Sequence, residues 1–344
     1  MELVFIPSLE HMAMVKLTTR ICEHPDILPF TNNCSTRTED NLKQFFENAN
    51  EIIRLPNSLQ SIGFLILKAV CFEIFFWRKR HQKALCFTTV ETFMKFSWRS
   101  DGTIHSSKTA KALVTDENVP FCCRFYFACC HFLENDILYL WNRFPIYDGT
   151  ELFHSPSSIY TIFSLFLPWI ESGFSAEFLA NEFKPTYFSD EIFLDHLYHE
   201  EVSLRCFIER LPIDKCIDWL KKITKRQYLD RDLAHFVVCG SLRNQEIAVF
   251  RENATIALLI FLRWPLQSMF VDVAKHLWNY LSEEKFLLLL NYICDEINVR
   301  DDFDYSELFQ EFWRDSPLSY KEYVEDKLEN TDDEFLNLKS ILRR

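Results

Sequence analysis

The sequence predicts a mainly α-helical protein, and three observations support this fold class. Apolar residues recur at helical spacing along nearly the whole chain of 344 residues. The chain has only 5 glycines, whereas average composition would give about 24. It also has 34 phenylalanines and 8 tryptophans, which suit a core of large side chains between helices. The predicted architecture is an irregular α-solenoid or helical bundle of helical hairpins, with one small β-hairpin.

Serine residues ahead of apolar-periodic runs predict where several helices begin, because a serine side chain can cap the first turn. These serines are Ser8, Ser106, Ser157, Ser189 and Ser282. Most prolines stand at segment edges, as expected for a residue that cannot continue a helix from its middle. Pro168 interrupts an apolar run instead, and it predicts a kink or a break.

One stretch departs from helical spacing. Thr92–Ser106 alternates around Ser100-Asp101-Gly102, and an Asp-Gly pair between alternating segments is typical of a hairpin turn. A single hairpin is stable only when it packs on other elements. We therefore expect a short β-hairpin that caps or joins helical units.

A weak internal repeat is visible in three segments, each with an apolar helix, a short break and a second helix. The segments are Arg124–Phe144, Ser203–Ile223 and Ile260–Trp278. Their irregular spacing fits a degenerate α-solenoid, and an irregular bundle accounts for it equally well.

The pattern suggests three parts, with one continuous domain as the alternative. Residues 1–83 form an N-terminal helical module, and residues 84–150 combine the hairpin with a helical hairpin. Residues 151–344 form a C-terminal helical array with an acidic end, since residues 301–344 carry 13 acidic and 6 basic side chains.

Charge and composition exclude several function classes. A net charge of −13 argues against a general nucleic-acid binder, which neutralises phosphates with lysine and arginine. The scattered glycines leave no phosphate-binding loop or dinucleotide motif, and no cofactor or small-molecule substrate is indicated. The apolar stretch Ile62–Trp77 includes Lys68 and Glu73, so we expect a buried core helix and no membrane association.

Cysteine usage and the first residues suggest an intracellular protein. The 12 cysteines are scattered through a long chain, and the N-terminal residues do not resemble a secretory signal. Reduced thiols in the cytoplasm or nucleus are therefore expected. The cluster Cys122, Cys123, Cys129, Cys130 and His131 lies in one helical pattern whose adjacent sulfurs point apart, which favours burial over a metal site.

Two further groups could carry chemistry. His196 and His199 share one face of a predicted helix and could bind zinc, although a metalloenzyme would need a third ligand. Basic residues follow two apolar helices, at Arg78–Lys83 and at Lys221–Arg226. Such residues either contact anionic partners or stabilise the negative end of the helix dipole.

The first helix carries a distinctive pattern. Leu9, Ala13 and Leu17 are spaced by four residues and form one stripe, with Ser8 as the cap. This pattern resembles the BC box of the substrate receptors of cullin–RING ubiquitin ligases. The resemblance implies that Leu9 enters a pocket on elongin C, that Ala13 lets two helices approach closely, and that Leu17 makes a second apolar contact.

A second motif resembles the cullin box of the same receptors, which follows the BC box. Leu55, Pro56 and Leu59 match its first positions, whereas Gly63 stands where the family has an apolar residue. The resemblance covers about the first 65 residues of the sequence. The remainder resembles uncharacterised helical-repeat proteins of arthropods, which imply no activity.

These observations predict a protein–protein interaction scaffold without enzymatic activity. In its specific form, the chain is a substrate adaptor that binds elongin B/C through the first helix and contacts a cullin. Three alternatives stay open: an ordinary amphipathic first helix that only docks on the core, a metal-dependent enzyme that uses His196 and His199, and a purely structural helical protein.

Overall fold

The protein is mainly α-helical, as the sequence predicts. The computed structural model describes residues 7–24, 36–85, 95–143, 157–185, 188–225, 233, 251, 253–299, 303–330 and 336–342. In the first half of this part, the helices are α1 (Leu9–Cys22), α2 (Thr36–Ile53), α3 (Asn57–Arg80), α4 (Gln82–Leu85), α5 (Ser106–Thr115), α6 (Phe121–Cys130) and α7 (Glu134–Trp141). In the second half, they are α8 (Ser157–Glu171), α9 (Ala176–Asn181), α10 (Asp190–His199), α11 (Leu204–Glu209), α12 (Ile213–Lys225), α13 (Ala254–Phe261), α14 (Phe270–Leu277), α15 (Glu283–Val299), α16 (Tyr305–Asp315), α17 (Leu318–Asn330) and α18 (Leu336–Leu342).

Helix α6 lies at the centre of the N-terminal half and contacts α4, α5, α7 and α8. Nearly all its side chains are apolar, and Phe125, Tyr126 and Phe127 are almost completely buried. A helix that is apolar on all sides is stable only when neighbours cover it all round. The composition of α6 therefore explains its central position.

Helix α15 has the corresponding role near the C-terminus, where α13, α16, α17 and α18 pack against it. The ring centroids of Phe286 and Phe312 are 5.0 Å apart, and those of Phe286 and Tyr320 are also 5.0 Å apart. Such aromatic packing buries a large area per residue. This is the role that the high phenylalanine content suggested.

The first two repeat segments each contain a helix, a break and a second helix, whereas the third, Ile260–Trp278, includes only the last two residues of its first helix. The pairs are α6–α7, α11–α12 and α13–α14, and Phe144 at the end of the first segment lies outside the described residues. The third break differs from the others, because it includes a 3₁₀ turn at Gln267–Met269.

The predicted β-hairpin is reduced to its turn. Residues 95–106 of this segment are described, and they contain one isolated antiparallel bridge, between Trp98 and Ile104. The turn itself is as expected, since the Asp101 carboxylate accepts a bond from the Thr103 amide and Gly102 has φ of 89°. The pairing does not extend past His105, because that residue caps α5 and the helix begins at Ser106.

Two other expectations were wrong in detail. Ser106 does not cap α5: His105 is the cap residue, and the Ser106 hydroxyl accepts a bond from the Trp77 indole. Of the kink or break expected at Pro168, the break was wrong, because α8 continues through this residue to Glu171. A proline at this position removes one backbone hydrogen bond and crowds the preceding turn, and the buried side chains of Phe166 and Trp169 offset that cost. Ser8 and Ser189 do cap their helices, as predicted.

Candidate functional site

Helix α1 has a core face formed by Met14, Val15 and Thr18, which are buried. Its first turn is fixed by the Ser8 hydroxyl, which accepts a bond from the His11 amide at 3.0 Å. The His11 ring nitrogen Nε2 lies 2.9 Å from the Asp101 carbonyl oxygen, so the helix is also tied to the turn around Asp101 and Gly102, which we call the 97–105 turn. The core face and this contact hold α1 firmly on the protein.

The predicted docking stripe lies mainly on the opposite side of α1. The Leu9 side chain is 82% exposed, Ala13 is exposed, and Leu17 is half-buried at the edge of the core. The exposed side chains of Lys16 and Arg20 lie on the same side as Leu9 and Ala13. A leucine with this exposure contributes almost nothing to the core, so its apolar surface is free to contact another molecule.

Helices α1 and α3 run in the same direction. A Cβ added at Gly63 would lie 2.6 Å from Met14 Cε, and further along both helices Cys22 Sγ lies 3.8 Å from Cys71 Sγ. The two contacts are separated by the same number of residues on each helix. Extending this register back to Leu9 reaches the first turn of α3, which begins at Asn57.

The residues of the cullin-box pattern therefore lie at the same end of this helix pair as Leu9. Pro56 is exposed and precedes the first turn of α3, while Leu55 and Leu59 are half-buried at the edge of the core. The Leu55 amide donates to the Asn50 side chain at 3.0 Å, which fixes the connection from α2. Gly63 is buried where Met14 and Phe46 approach α3, so a larger residue there would have to displace them.

His196 and His199 both lie on α10, as the spacing predicted, but on differently exposed positions. The His196 ring is half-buried against Phe188, with the ring centroids 5.6 Å apart. His199 is exposed beside Tyr198. Within the described part of the chain, no group of three or more His, Cys, Asp or Glu side chains is arranged to hold a metal ion.

A buried histidine pair, which the sequence analysis did not identify, joins α3 to α6. His81 and His131 are each 1% exposed, and their Nε2 atoms are 3.0 Å apart. His81 Nδ1 donates to the Trp77 carbonyl at 2.8 Å, so Nε2 of the neutral His81 ring accepts from His131. Burial, followed by the proximity of His131, holds the pKa of His81 well below its usual value.

Carboxyl groups after α10 extend this buried polar region. The Lys83 amide donates to Glu201 Oε1 at 2.9 Å, and the Lys83 ammonium group lies 3.1 Å from Glu200 Oε1. The Tyr126 hydroxyl donates to the Glu200 carbonyl at 2.8 Å. Burial raises the pKa of Glu201 to about 7. We call His81, Lys83, Tyr126, His131 and Glu201 the polar junction.

The polar junction joins elements that are distant in sequence rather than presenting groups to a substrate. His81, His131 and Glu201 are almost completely buried. Nearby, the Arg80 guanidinium group donates to the Val202 carbonyl at 3.2 Å and lies over the Tyr198 ring. Part of the first basic cluster thus fixes the turn after α10. A sequence pattern could not have shown this, because the partners are separated by 122 residues.

The cysteines of α6 are core residues, as expected, but the expectation that adjacent sulfurs point apart was wrong for Cys122 and Cys123, whose Sγ atoms are 3.9 Å apart. Cys123, Cys129 and Cys130 are completely buried, and Cys122 is half-buried. All four are free thiols. In the second basic cluster, Lys222 pairs with Asp190 at 2.9 Å and with Asp218 at 2.5 Å, whereas Arg226 lies outside the described residues.

No family model, no curated protein and no solved structure matches the chain. Among the described residues, α3 has the length and apolar composition that a membrane-crossing helix needs. Half of its most apolar window is buried inside the protein.

Proposed function

We propose that this protein is a non-enzymatic interaction scaffold that binds elongin B/C through α1 and acts as a substrate adaptor. The observation that carries the proposal is the exposed Leu9 side chain, which begins a helix whose opposite face is anchored in the core. Leu9 and Ala13 lie on one exposed side of α1. This arrangement suits recognition of a helix by an apolar groove.

The position of the second motif supports the same proposal. Leu55, Pro56 and Leu59 lie at the end of the α1–α3 pair where Leu9 is located, so one partner assembly can contact both motifs. The cullin contact is then made by the exposed Pro56 and the accessible parts of Leu55 and Leu59. The helical array beyond α7 is then presented to the target protein.

Co-expression with elongin B/C tests the proposal directly. Leu9→Asp should reduce capture of elongin B/C by at least about tenfold, because a buried leucine contributes about 1.5–3 kcal/mol and a buried aspartate is unfavourable. The substitution should leave thermal stability nearly unchanged, since Leu9 is outside the core and an acid in the first turn suits the helix dipole. Pull-down and thermal unfolding measure the two effects.

Leu318→Asp is the matched control. Leu318 is also the first residue of its helix and is 69% exposed, but it lies on α17. The Leu318→Asp variant should keep full capture of elongin B/C.

Substitutions at Ala13 test the close approach of the two helices. Ala13→Trp should reduce capture and Ala13→Ser should preserve it, because only a small side chain allows close approach. Equal capture by the wild-type protein and by Leu9→Asp would refute the proposal, as would no capture by the wild-type protein.

A further inference from the structure

Two thiols face each other between the first helix and the core helix. Cys22 on α1 and Cys71 on α3 have their sulfur atoms 3.8 Å apart, and they are 8% and 3% exposed. Both are free thiols in this structure. We propose that Cys22 and Cys71 form a reversible disulfide, which makes this pair a redox modification site that fastens α1 to α3.

The geometry needs only a small movement. A disulfide bond is about 2.05 Å long, so the sulfur atoms have to approach by about 1.8 Å. The two helix backbones are also close eight residues earlier on each helix, where Gly63 leaves room for the Met14 side chain. Cys22 is the last residue of α1, and the exposed residues Glu23 and His24 follow it. The end of a helix can adjust more easily than its middle.

The oxidant that we propose is a peroxide. The Cys22 sulfur attacks one peroxide oxygen, the O–O bond breaks, and a sulfenic acid and one water molecule form. The Cys71 sulfur then attacks the sulfenic sulfur, the S–O bond breaks, and the disulfide forms with release of a second water molecule. The two sulfur atoms together lose two electrons, which reduce one hydrogen peroxide to two waters. A dithiol such as dithiothreitol reduces the disulfide back to two thiols and is itself oxidised to a cyclic disulfide.

The local environment makes oxidation of Cys22 slow. The contact with Cys71 and burial raise the pKa of the Cys22 thiol above its usual value. Because the thiolate is the reactive form, oxidation proceeds when the last turn of α1 opens. Once formed, the bond links residues 49 positions apart, and closing such a loop restricts the unfolded chain.

The chain includes a natural comparison. Cys122 and Cys123 have their sulfur atoms 3.9 Å apart, almost the same separation as Cys22 and Cys71. They are adjacent in sequence, however, and their Cα atoms are closer than the roughly 4.4 Å that a normal disulfide needs. Sulfur separation alone would favour both pairs equally, whereas the short Cα separation disfavours a disulfide between Cys122 and Cys123.

The test is oxidation of the full-length protein with hydrogen peroxide, in buffer and in a series of sub-denaturing urea concentrations. After alkylation and proteolysis, mass spectrometry should identify a Cys22–Cys71 cross-linked peptide that dithiothreitol removes. Its rate of formation should increase with urea below the unfolding transition. The oxidised protein should unfold at a temperature higher by roughly 5 °C.

Serine variants complete the test. Cys22→Ser and Cys71→Ser should each abolish the cross-link and the temperature shift, while Cys122→Ser should retain both. The proposal is overturned if both thiols remain alkylatable throughout the urea series. It is also overturned if Cys22 and Cys71 oxidise only to separate sulfinic acids or pair with other cysteines.

Discussion

Glu201 is a buried carboxyl group held in an unusual backbone conformation, with φ of 61°. Its pKa is about 7 instead of the ordinary 4.5, chiefly because burial disfavours the charged form. Since the folded protein holds this proton more tightly than the unfolded chain, stability falls as the pH rises from about 4.5 to about 7. Above that range, the full cost of burying the charge is present.

Glu201→Gln should remove this cost. We expect the variant to be more stable than the wild-type protein at pH 8 by about 1–3 kcal/mol, and equal to it near pH 4. Glutamine keeps the acceptor for the Lys83 amide, and its NH₂ group can donate to the Tyr126 hydroxyl. Urea unfolding at both pH values measures the difference. Glu325→Gln, at an exposed position on α17, should leave both values unchanged. A Glu201→Gln gain that is the same at pH 4 and pH 8 would contradict this explanation.

His81 has the opposite pH dependence. Its pKa is lowered in the folded protein, so stability falls as the pH decreases below the ordinary histidine value of about 6.5. Protonation of Glu201 increases the free energy of unfolding over part of the same interval as the pH falls. The two buried groups therefore partly compensate each other between pH 5 and pH 6.5, and Glu201→Gln should make the His81 effect easier to detect.

At the scale of single elements, the 97–105 turn is shaped by Gly102. Its φ of 89° is unfavourable for other residues, and a Cβ at this position would overlap the Trp264 ring. Gly173 has a similar φ of 70°, but no atom lies within 4 Å of its potential Cβ. A substitution at Gly173 therefore introduces backbone strain alone, whereas a substitution at Gly102 adds steric overlap with the Trp264 ring.

Gly102→Ala should be clearly more destabilising than Gly173→Ala. We expect about 1 kcal/mol for the backbone conformation at either site, and about 1–3 kcal/mol more at Gly102 for the overlap. Chemical denaturation of the two variants measures the difference. Equal losses would show that Trp264 does not restrict this turn.

The elements also show what the sequence could and could not specify. Helical spacing and the serine caps at Ser8 and Ser189 are local signals, so they predicted helices and some of their starts correctly. The Asp-Gly pair correctly predicted a turn, because its conformation depends on adjacent residues. The length of the paired strands was not predictable, since it depends on where α5 begins and on how the turn packs against distant Trp264.

The candidate site divides in the same way. The stripe of Leu9, Ala13 and Leu17 follows from helical geometry, whereas its orientation toward solvent depends on which face of α1 packs on α3. The His81–His131 pair has no local signal, because its two rings are 50 residues apart in the sequence. His81 stands in a basic stretch and His131 in an apolar one. Sequence patterns identify which side chains share a helix face, and tertiary packing decides which faces meet.

At the scale of the whole molecule, contacts between distant segments join the described parts of the chain into one apolar core. Buried residues from Met14 to Leu338 belong to a single cluster. His11 contacts Asp101 across 90 residues, and the Trp264 ring lies 6.0 Å from the His11 ring. The first helix, the 97–105 turn and the segment after α13 therefore meet around Trp264.

A double-mutant cycle tests whether the Trp264 side chain packs on the 97–105 turn. Trp264→Ala should lower the free energy of unfolding by about 3–5 kcal/mol, because a large buried ring is lost. In that background Gly102→Ala should cost only about as much as Gly173→Ala, since the overlapping ring has been removed. The expected coupling is about 1–3 kcal/mol. Trp219, which packs against Phe193 and Phe207, provides the control: Trp219→Ala and Gly102→Ala should be additive. If Gly102→Ala were additive with Trp264→Ala as well, the segment after α13 would not pack on the 97–105 turn in solution.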